Sequence, residues 1–212
     1  MLVWYAAYGS NLLRARFLTY LRGGPVPGSG RTQHGARDPA DPLDDRAYRL
    51  SRELLFAGRA SGWGDGGVCF VEPATVDPDG CLGRAWLITD EQLADVWAQE
   101  NGKTSGPAVD VEALAAGETG DFGSGWYRYL EPIGELDGHP VATFTFAPDE
   151  GGPPGNAADV SYLTIMGLGL AEAWQLGSVE AAEYLAGRRG NVGAVDVGAL
   201  AEAIAGAGDA AG

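Results

Sequence analysis

The chain has 212 residues, with 29 acidic against 14 basic side chains and a net charge of −15. That balance opposes binding to nucleic acid or to an anionic membrane surface, and it leaves room for a substrate that bears a cationic amine. Two cysteines make no disulfide framework, no apolar run is long enough to span a bilayer, and the N-terminus lacks a signal-peptide pattern, so a cytoplasmic protein is expected. The length suits one domain over residues 1–205, followed by a flexible Gly/Ala-rich tail over 206–212.

In chain order, the short β-forming run Leu2 to Ala7 reads as a buried strand. It breaks at Gly9-Ser10 and passes into a helical pattern opening at Asn11, with Leu13, Phe17, Leu18 and Leu21 on one face. Free N–H groups at such a helix start attract a carboxylate or a developing oxyanion, and Gly9 permits close approach. Tyr8-Gly9-Ser10-Asn11 is therefore a candidate anion-binding turn; an ordinary strand-to-helix turn is the other use of these residue types. Residues 23–45 are rich in Gly, Pro and Asp and read as a long loop over one end of a sheet, in which Arg37 is a candidate for a substrate carboxylate.

Strands are expected near 47–57, 67–72 and 80–88, with Pro78-Asp79-Gly80 as a turn. Thr89 to Gln92 then has the capping-box form and opens a helix over 89–101. Leu93, Val96 and Trp97 share one face, and the next turn of that face lands on Glu100, just before the stop signal Asn101-Gly102. Glu100 thus sits where burial and the helix dipole both favour its neutral form, which suits a proton shuttle near neutral pH. The competing uses are a Glu that reaches to the edge of its face or pairs with a buried Arg. Further on, 103–125 is Gly-rich, strands are expected near 126–132 and 141–147, and helices near 159–176, 178–187 and 196–205. Separate strands and helices point to an α+β fold.

These residues carry a family resemblance. A strand followed by Tyr8-Gly9-Ser10-Asn11-Leu12, with Gln99-Glu100 about ninety residues later, resembles the γ-glutamylcyclotransferase-like family. Trp63-Gly64-Asp65-Gly66-Gly67-Val68 is similar to the family's Trp-then-Gly-Gly entry into a central strand. Tyr162-Leu163-Thr164-Ile165-Met166-Gly167, followed by Glu183-Tyr184-Leu185, is similar to its C-terminal helical segment with an inward-pointing Tyr. The likeness covers roughly residues 2–187 as ordered blocks.

The resemblance implies a mixed sheet closing toward a small β-barrel flanked by helices. It also implies a reaction on a γ-glutamyl amide or peptide: the substrate's α-amine attacks its own γ-carbonyl, giving 5-oxoproline and a free amine. Backbone N–H groups of Tyr8, Gly9, Ser10, Asn11 and Leu12, with Tyr162, would bind the substrate, and Glu100 would relay the proton. An ordinary Glu and a peptide α-amine differ by about 3.5 pKa units, or about 5 kcal/mol of uphill transfer, which a raised Glu100 pKa reduces. Ring closure is intramolecular and needs no covalent enzyme intermediate, metal or cofactor.

Other chemistries find less support. Ser10 is not in a G-x-S-x-G elbow, and His34 and His139 are read in polar loops without triad context. Cys69, within the apolar run Val68 to Val71, reads as an inert buried thiol. No zinc spacing, Walker-A or dinucleotide fingerprint is present, and Asp41, Asp44 and Asp45 do not match a calcium loop. Trp4, Trp86, Trp126 and Trp174 are assigned to core packing, with a dimer surface as the other use, so monomer and homodimer both stay open. Two features depart from the family pattern: the length of 103–125, read either as a lid or as a tolerated insertion, and the residue Asn101 between Glu100 and Gly102. A non-catalytic carboxylate-binding protein on the same fold is the alternative function.

Overall fold

The computed structural model describes residues 1–211. The apolar run forms β1 (Leu2–Ala7), buried from Val3 onward, as a strand covered on both faces must be. The chain then makes a 3₁₀ turn over Ser10–Leu12 and enters α1 (Arg14–Arg22) with Leu13, not Asn11, at the N-cap. The expected helix start at Asn11 is corrected to Arg14, because the Asn11 amide is engaged by a carboxylate distant in sequence.

The segment 23–45, read as one loop, contains the hairpin β2 (Gly24–Pro25) and β3 (Thr32–Gln33). The single strand expected over 47–57 is two, β4 (Asp44–Leu50) and β5 (Leu54–Ala60). They part where Arg52 turns to the Glu131 carboxylate at 2.8 Å. They enter different sheets: β5 pairs with β6 (Gly66–Val71), and β4 with β7 (Cys81–Thr89). The Trp63-to-Val68 motif therefore leads into a hairpin strand, not a central strand of the main sheet.

Helix α2 (Asp90–Glu100) starts as its sequence dictates. Thr89 Oγ1 accepts from the Gln92 N–H at 3.1 Å, and Gln92 Oε1 accepts from the Thr89 N–H at 3.0 Å. Asn101 caps its C-terminus, and Gly102 takes the left-handed φ of 66° that glycine adopts without strain. The stretch 103–125 holds α3 (Val111–Ala115) and β8 (Gly120–Asp121), which pairs with the edge of β9 (Tyr129–Leu136). Val109, Val111 and Leu114 are buried in the same core as Trp97 and Phe144. Three apolar residues thus anchor the insertion in a core, while most of the stretch is exposed. Strand β9 begins later than the expected 126 because Trp126 and Tyr127 line a cavity instead.

The chain finishes with β10 (His139–Thr145), α4 (Val160–Trp174), α5 (Ser178–Ala186) and α6 (Val197–Ala211). His139 is the first residue of β10 rather than part of a loop. Helix α6 runs through Gly206 and Gly208, so the stretch from 206, expected to be a flexible tail, is helical as far as Ala211; Gly212 lies outside the described residues.

The main sheet is mixed and six-stranded, in the order β4-β7-β1-β10-β9-β8, with β1 antiparallel to β7 and parallel to β10. The fold is α+β, as expected. Alternate side chains of β1 enter two cores. Val3, Tyr5 and Ala7 pack with α1, α2 and α3; Trp4 and Ala6 pack with β5, β6 and α4 to α6. The β5–β6 hairpin shares no ladder with the main sheet among the described residues, and side chains close the gap, as where Thr145 Oγ1 donates to the Val71 carbonyl. Among those residues no helix is long and apolar enough to cross a membrane.

Candidate functional site

Because β1 and β10 run parallel, their C-terminal ends reach the same edge of the sheet. There Tyr8 donates its hydroxyl to the Phe144 carbonyl at 2.6 Å. The turn that follows places Gly9 directly over β6. A Cβ added to Gly9 would lie 2.4 Å from Cys69 Sγ and 3.2 Å from the Tyr162 hydroxyl. Glycine is needed here for space rather than for backbone angle, since its φ is −113°.

The N–H groups of Leu12 and Leu13 are taken by the carbonyls of Gly9 and Ser10, at 3.0 and 3.3 Å. Those of Gly9, Ser10 and Asn11 have no protein acceptor among the described residues. With α1 starting only at Arg14, these donors are local turn dipoles and not the end of a helix macrodipole. Leu12 is corrected out of the set. Its N–H is occupied and its fully buried side chain belongs to the core that holds α4.

Glu100 comes to this turn from the end of α2. Asn11 Nδ2 donates to Glu100 Oε1 at 2.7 Å. The helix end is fixed by Gln99, whose Nε2 donates to the Tyr20 carbonyl at 2.8 Å and whose Oε1 accepts from the Gly35 N–H at 3.2 Å. Burial raises the Glu100 pKa above the ordinary carboxyl range. The positive charge of Arg16, hydrogen bonds from Asn11 and Tyr20, and the charge of Arg31 restrain that rise without cancelling it.

Asn11 keeps one further capacity. It is 3% exposed, and its Oδ1 is buried without a hydrogen-bond donor among the described residues. With Nδ2 oriented by Glu100, the amide oxygen is an acceptor that awaits a donor.

Tyr162 projects from α4 with its hydroxyl 2.9 Å from Cys69 Sγ. Burial pushes the Cys69 thiol up to about 12, so it stays protonated and poorly nucleophilic, in keeping with its sequence reading. Tyr184, from the same C-terminal motif, lies elsewhere and accepts from the Leu82 N–H.

Tyr8, Gly9, Ser10, Asn11, Glu100 and Tyr162 line one inner cavity of about 40 Å³, completed by Tyr5, Cys69, Tyr127 and Phe144. It adjoins a vestibule of about 270 Å³ that shares Ser10, Glu100, Tyr127 and Tyr162 and adds Arg16, Tyr20 and Arg31. Sequence reasoning missed Tyr5, Tyr20, Tyr127, Arg16 and Arg31. Arg37, the sequence candidate for an anion, is turned away and bonded to Asp95 and Glu91. Trp126, read as core, is 45% exposed and also lines the vestibule.

Tyr127 is held there by the end of α2. Asn101 Oδ1 accepts from the Tyr127 N–H at 3.2 Å, and Trp97 Nε1 donates to the Tyr127 carbonyl at 2.6 Å. Its hydroxyl donates to the Cys69 carbonyl at 2.9 Å. The helix that presents Glu100 thereby also positions the opposite wall. Among the described residues, no three His, Cys, Asp or Glu side chains form a group suited to a metal ion.

Comparison with known proteins gives the following. No protein-family model matches the chain. Over 201 residues it is 32% identical to histone deacetylase 5 of Arabidopsis thaliana, a match covering 86% of this chain. The chain spans 30% of the length of that curated relative. Among solved structures, a gamma-glutamyl cyclotransferase aligns with a TM-score of 0.49 at 13% identity, over 95% of this chain and 99% of that one. The uncharacterized protein loc79017 from Homo sapiens aligns with a TM-score of 0.49 at 15% identity, over 95% and 98% of the two chains.

Proposed function

We propose that the protein is a γ-glutamylcyclotransferase-type enzyme that cleaves a γ-glutamyl amide or peptide by intramolecular aminolysis. The observation that carries this reading is the 2.7 Å contact between Asn11 and Glu100, which joins a half-buried carboxyl to a turn whose Gly9, Ser10 and Asn11 N–H groups are unpaired among the described residues. In this reading the substrate's α-ammonium donates to Asn11 Oδ1 and to Glu100. Glu100 takes one proton, and the freed amine nitrogen bonds to the γ-carbonyl carbon.

The oxygen of that carbonyl becomes an oxyanion facing the N–H groups of Gly9, Ser10 and Asn11. Donors fixed before the reaction stabilise charge at the moment it forms. Collapse breaks the bond to the leaving nitrogen, which receives the proton from Glu100, and the ring nitrogen passes its second proton through the same carboxylate to the departing amine. The products are 5-oxoproline and an amine, and Glu100 ends as it began. A carboxyl with a raised pKa suits both halves of this relay. Tyr162 and Tyr127 supply hydroxyls and ring surface around the glutamyl chain.

The test is 5-oxoproline release from a panel of γ-glutamyl amines and γ-glutamyl amino acids. The Glu100→Gln variant, with its fold intact, is expected to lose about 10²- to 10⁴-fold in turnover while still binding substrate. Tight binding by the unaltered protein with no turnover on any panel member would replace this reading with a carboxylate-binding protein. A monomer or a homodimer is compatible with the proposal, as is a cytoplasmic setting.

A further inference from the structure

Among the described residues, nine of the thirteen arginines form ion pairs. In a chain of net charge −15 that outcome is ordinary, because carboxylates are abundant. Arg16 and Arg31 are exceptions. Neither has a carboxylate within ion-pair distance among the described residues, and both line the vestibule next to Glu100. The other two, Arg49 and Arg188, lie over the rings of Trp174 and Tyr184, outside this cavity.

Arg16 is 7% exposed, lies 5.2 Å over the Trp63 ring, and donates through Nη1 to the Pro27 carbonyl at 3.1 Å. Its Nε is buried without an acceptor among the described residues. A guanidinium that is desolvated and only partly hydrogen-bonded is costly unless a ligand completes it. Arg31 is exposed and reaches the cavity from the β2–β3 hairpin, with its guanidinium resting on Gly62. A Cβ at Gly62 would meet Arg31 Nη2 at 2.9 Å, so the bare glycine permits that position.

The two cations also oppose the chemistry proposed for Glu100. Positive charge nearby lowers a carboxyl pKa, whereas the proton relay is served by a high one. An anion bound between them would offset their charge and leave Glu100 more basic only when substrate is present.

We infer that Arg16 and Arg31 form a carboxylate subsite in the vestibule, so that the substrate is held by an anionic group as well as by its ammonium. This rests on the cyclotransferase reading for the substrate's identity, although not for the existence of the subsite. The carboxylate has two possible sources: the α-carboxylate of the glutamyl group, or a carboxylate on the leaving amine.

The experiment is calorimetric titration of the Glu100→Gln protein, with and without Arg31→Gln, using γ-glutamyl-alanine and γ-glutamyl-alaninamide. Arg31 is exposed, so its replacement leaves the fold intact, and Arg31→Lys serves as the conservative control. Loss of about tenfold to a hundredfold in affinity for γ-glutamyl-alanine alone assigns the subsite to the leaving-group carboxylate. An equal loss for both ligands assigns it to the glutamyl carboxylate. Unchanged affinity for both overturns the inference. Should neither ligand bind, glutarate and succinate are titrated into the unaltered protein and its Arg31→Gln variant. Binding that depends on Arg31 then keeps the subsite while the cyclotransferase reading fails, and no binding of either removes the subsite as well.

Discussion

A carboxyl in the last turn of a helix, partly withdrawn from water, resists ionisation, and Glu100 meets both conditions. The consequence for stability has a definite sign. Between the ordinary Glu value of about 4.3 and its raised folded value, the unfolded chain has released the proton that the folded protein retains. Stability therefore falls as pH rises through that window and stays lower above it. Glu100→Gln is expected to raise the melting temperature at pH 8 by about 2 °C or more, with the gain vanishing near pH 4. Melting both proteins across this range is the check, and a difference independent of pH would refute the assignment. Gly9 gives a second prediction of this scale. Gly9→Ala forces a methyl against Cys69 Sγ and should cost about 1–3 kcal/mol. Adding Cys69→Ala removes the obstructing sulfur, so the double variant should be more stable than the sum of the single changes implies.

Helix α2 carries both a structural start and a functional end. Thr89→Ala removes the acceptor for the Gln92 N–H and should cost about 1 kcal/mol with little effect on KM. Asn101→Ala frees the Tyr127 N–H and removes one of two donors to the Trp97 carbonyl, and should cost about 1–2 kcal/mol while also raising KM, because Tyr127 loses one of its tethers at the cavity. Urea titrations and steady-state kinetics on the two variants separate these outcomes. The start, the buried stripe and the stop of α2 were all legible in sequence, since each depends on residues within two turns. The start of α1 was not. Asn11 has the side chain of an N-cap, but its partner Glu100 is 89 positions away. The break between β4 and β5 was hidden for a similar reason, since Arg52 leaves the strand for Glu131, 79 positions away. In sequence, Arg37 was the candidate for an anion and Arg31 was not. Only the fold decides that Asp95 and Glu91 neutralise one while the other faces the vestibule. Val111 and Leu114, in a Gly-rich stretch, show their apolar face only once laid on the sheet.

Seen whole, the molecule has two cores that meet along one strand. The side chains of β1 alternate between them, and the cavity lies just past the end of that strand, where Tyr5 from one core and Tyr8 from the other both reach it. Neither core can loosen without disturbing β1, and with it the distance between the Gly9–Asn11 turn and Glu100. Chains of this length often unfold in steps, but a shared central strand couples the two layers. We therefore expect a single cooperative transition over the described fold, which is also the test of its being one domain. Leu163→Ala removes a fully buried side chain from the core of α4 to α6, and Val96→Ala does the same in the core of α1 to α3. Each should cost about 1–4 kcal/mol and shift the urea midpoints of far-UV dichroism and tryptophan fluorescence together, with an unchanged slope. If either variant unfolds in two stages, with one probe moving before the other, the cores are energetically separate. The site would then depend on a junction between independent units instead of a strand common to both.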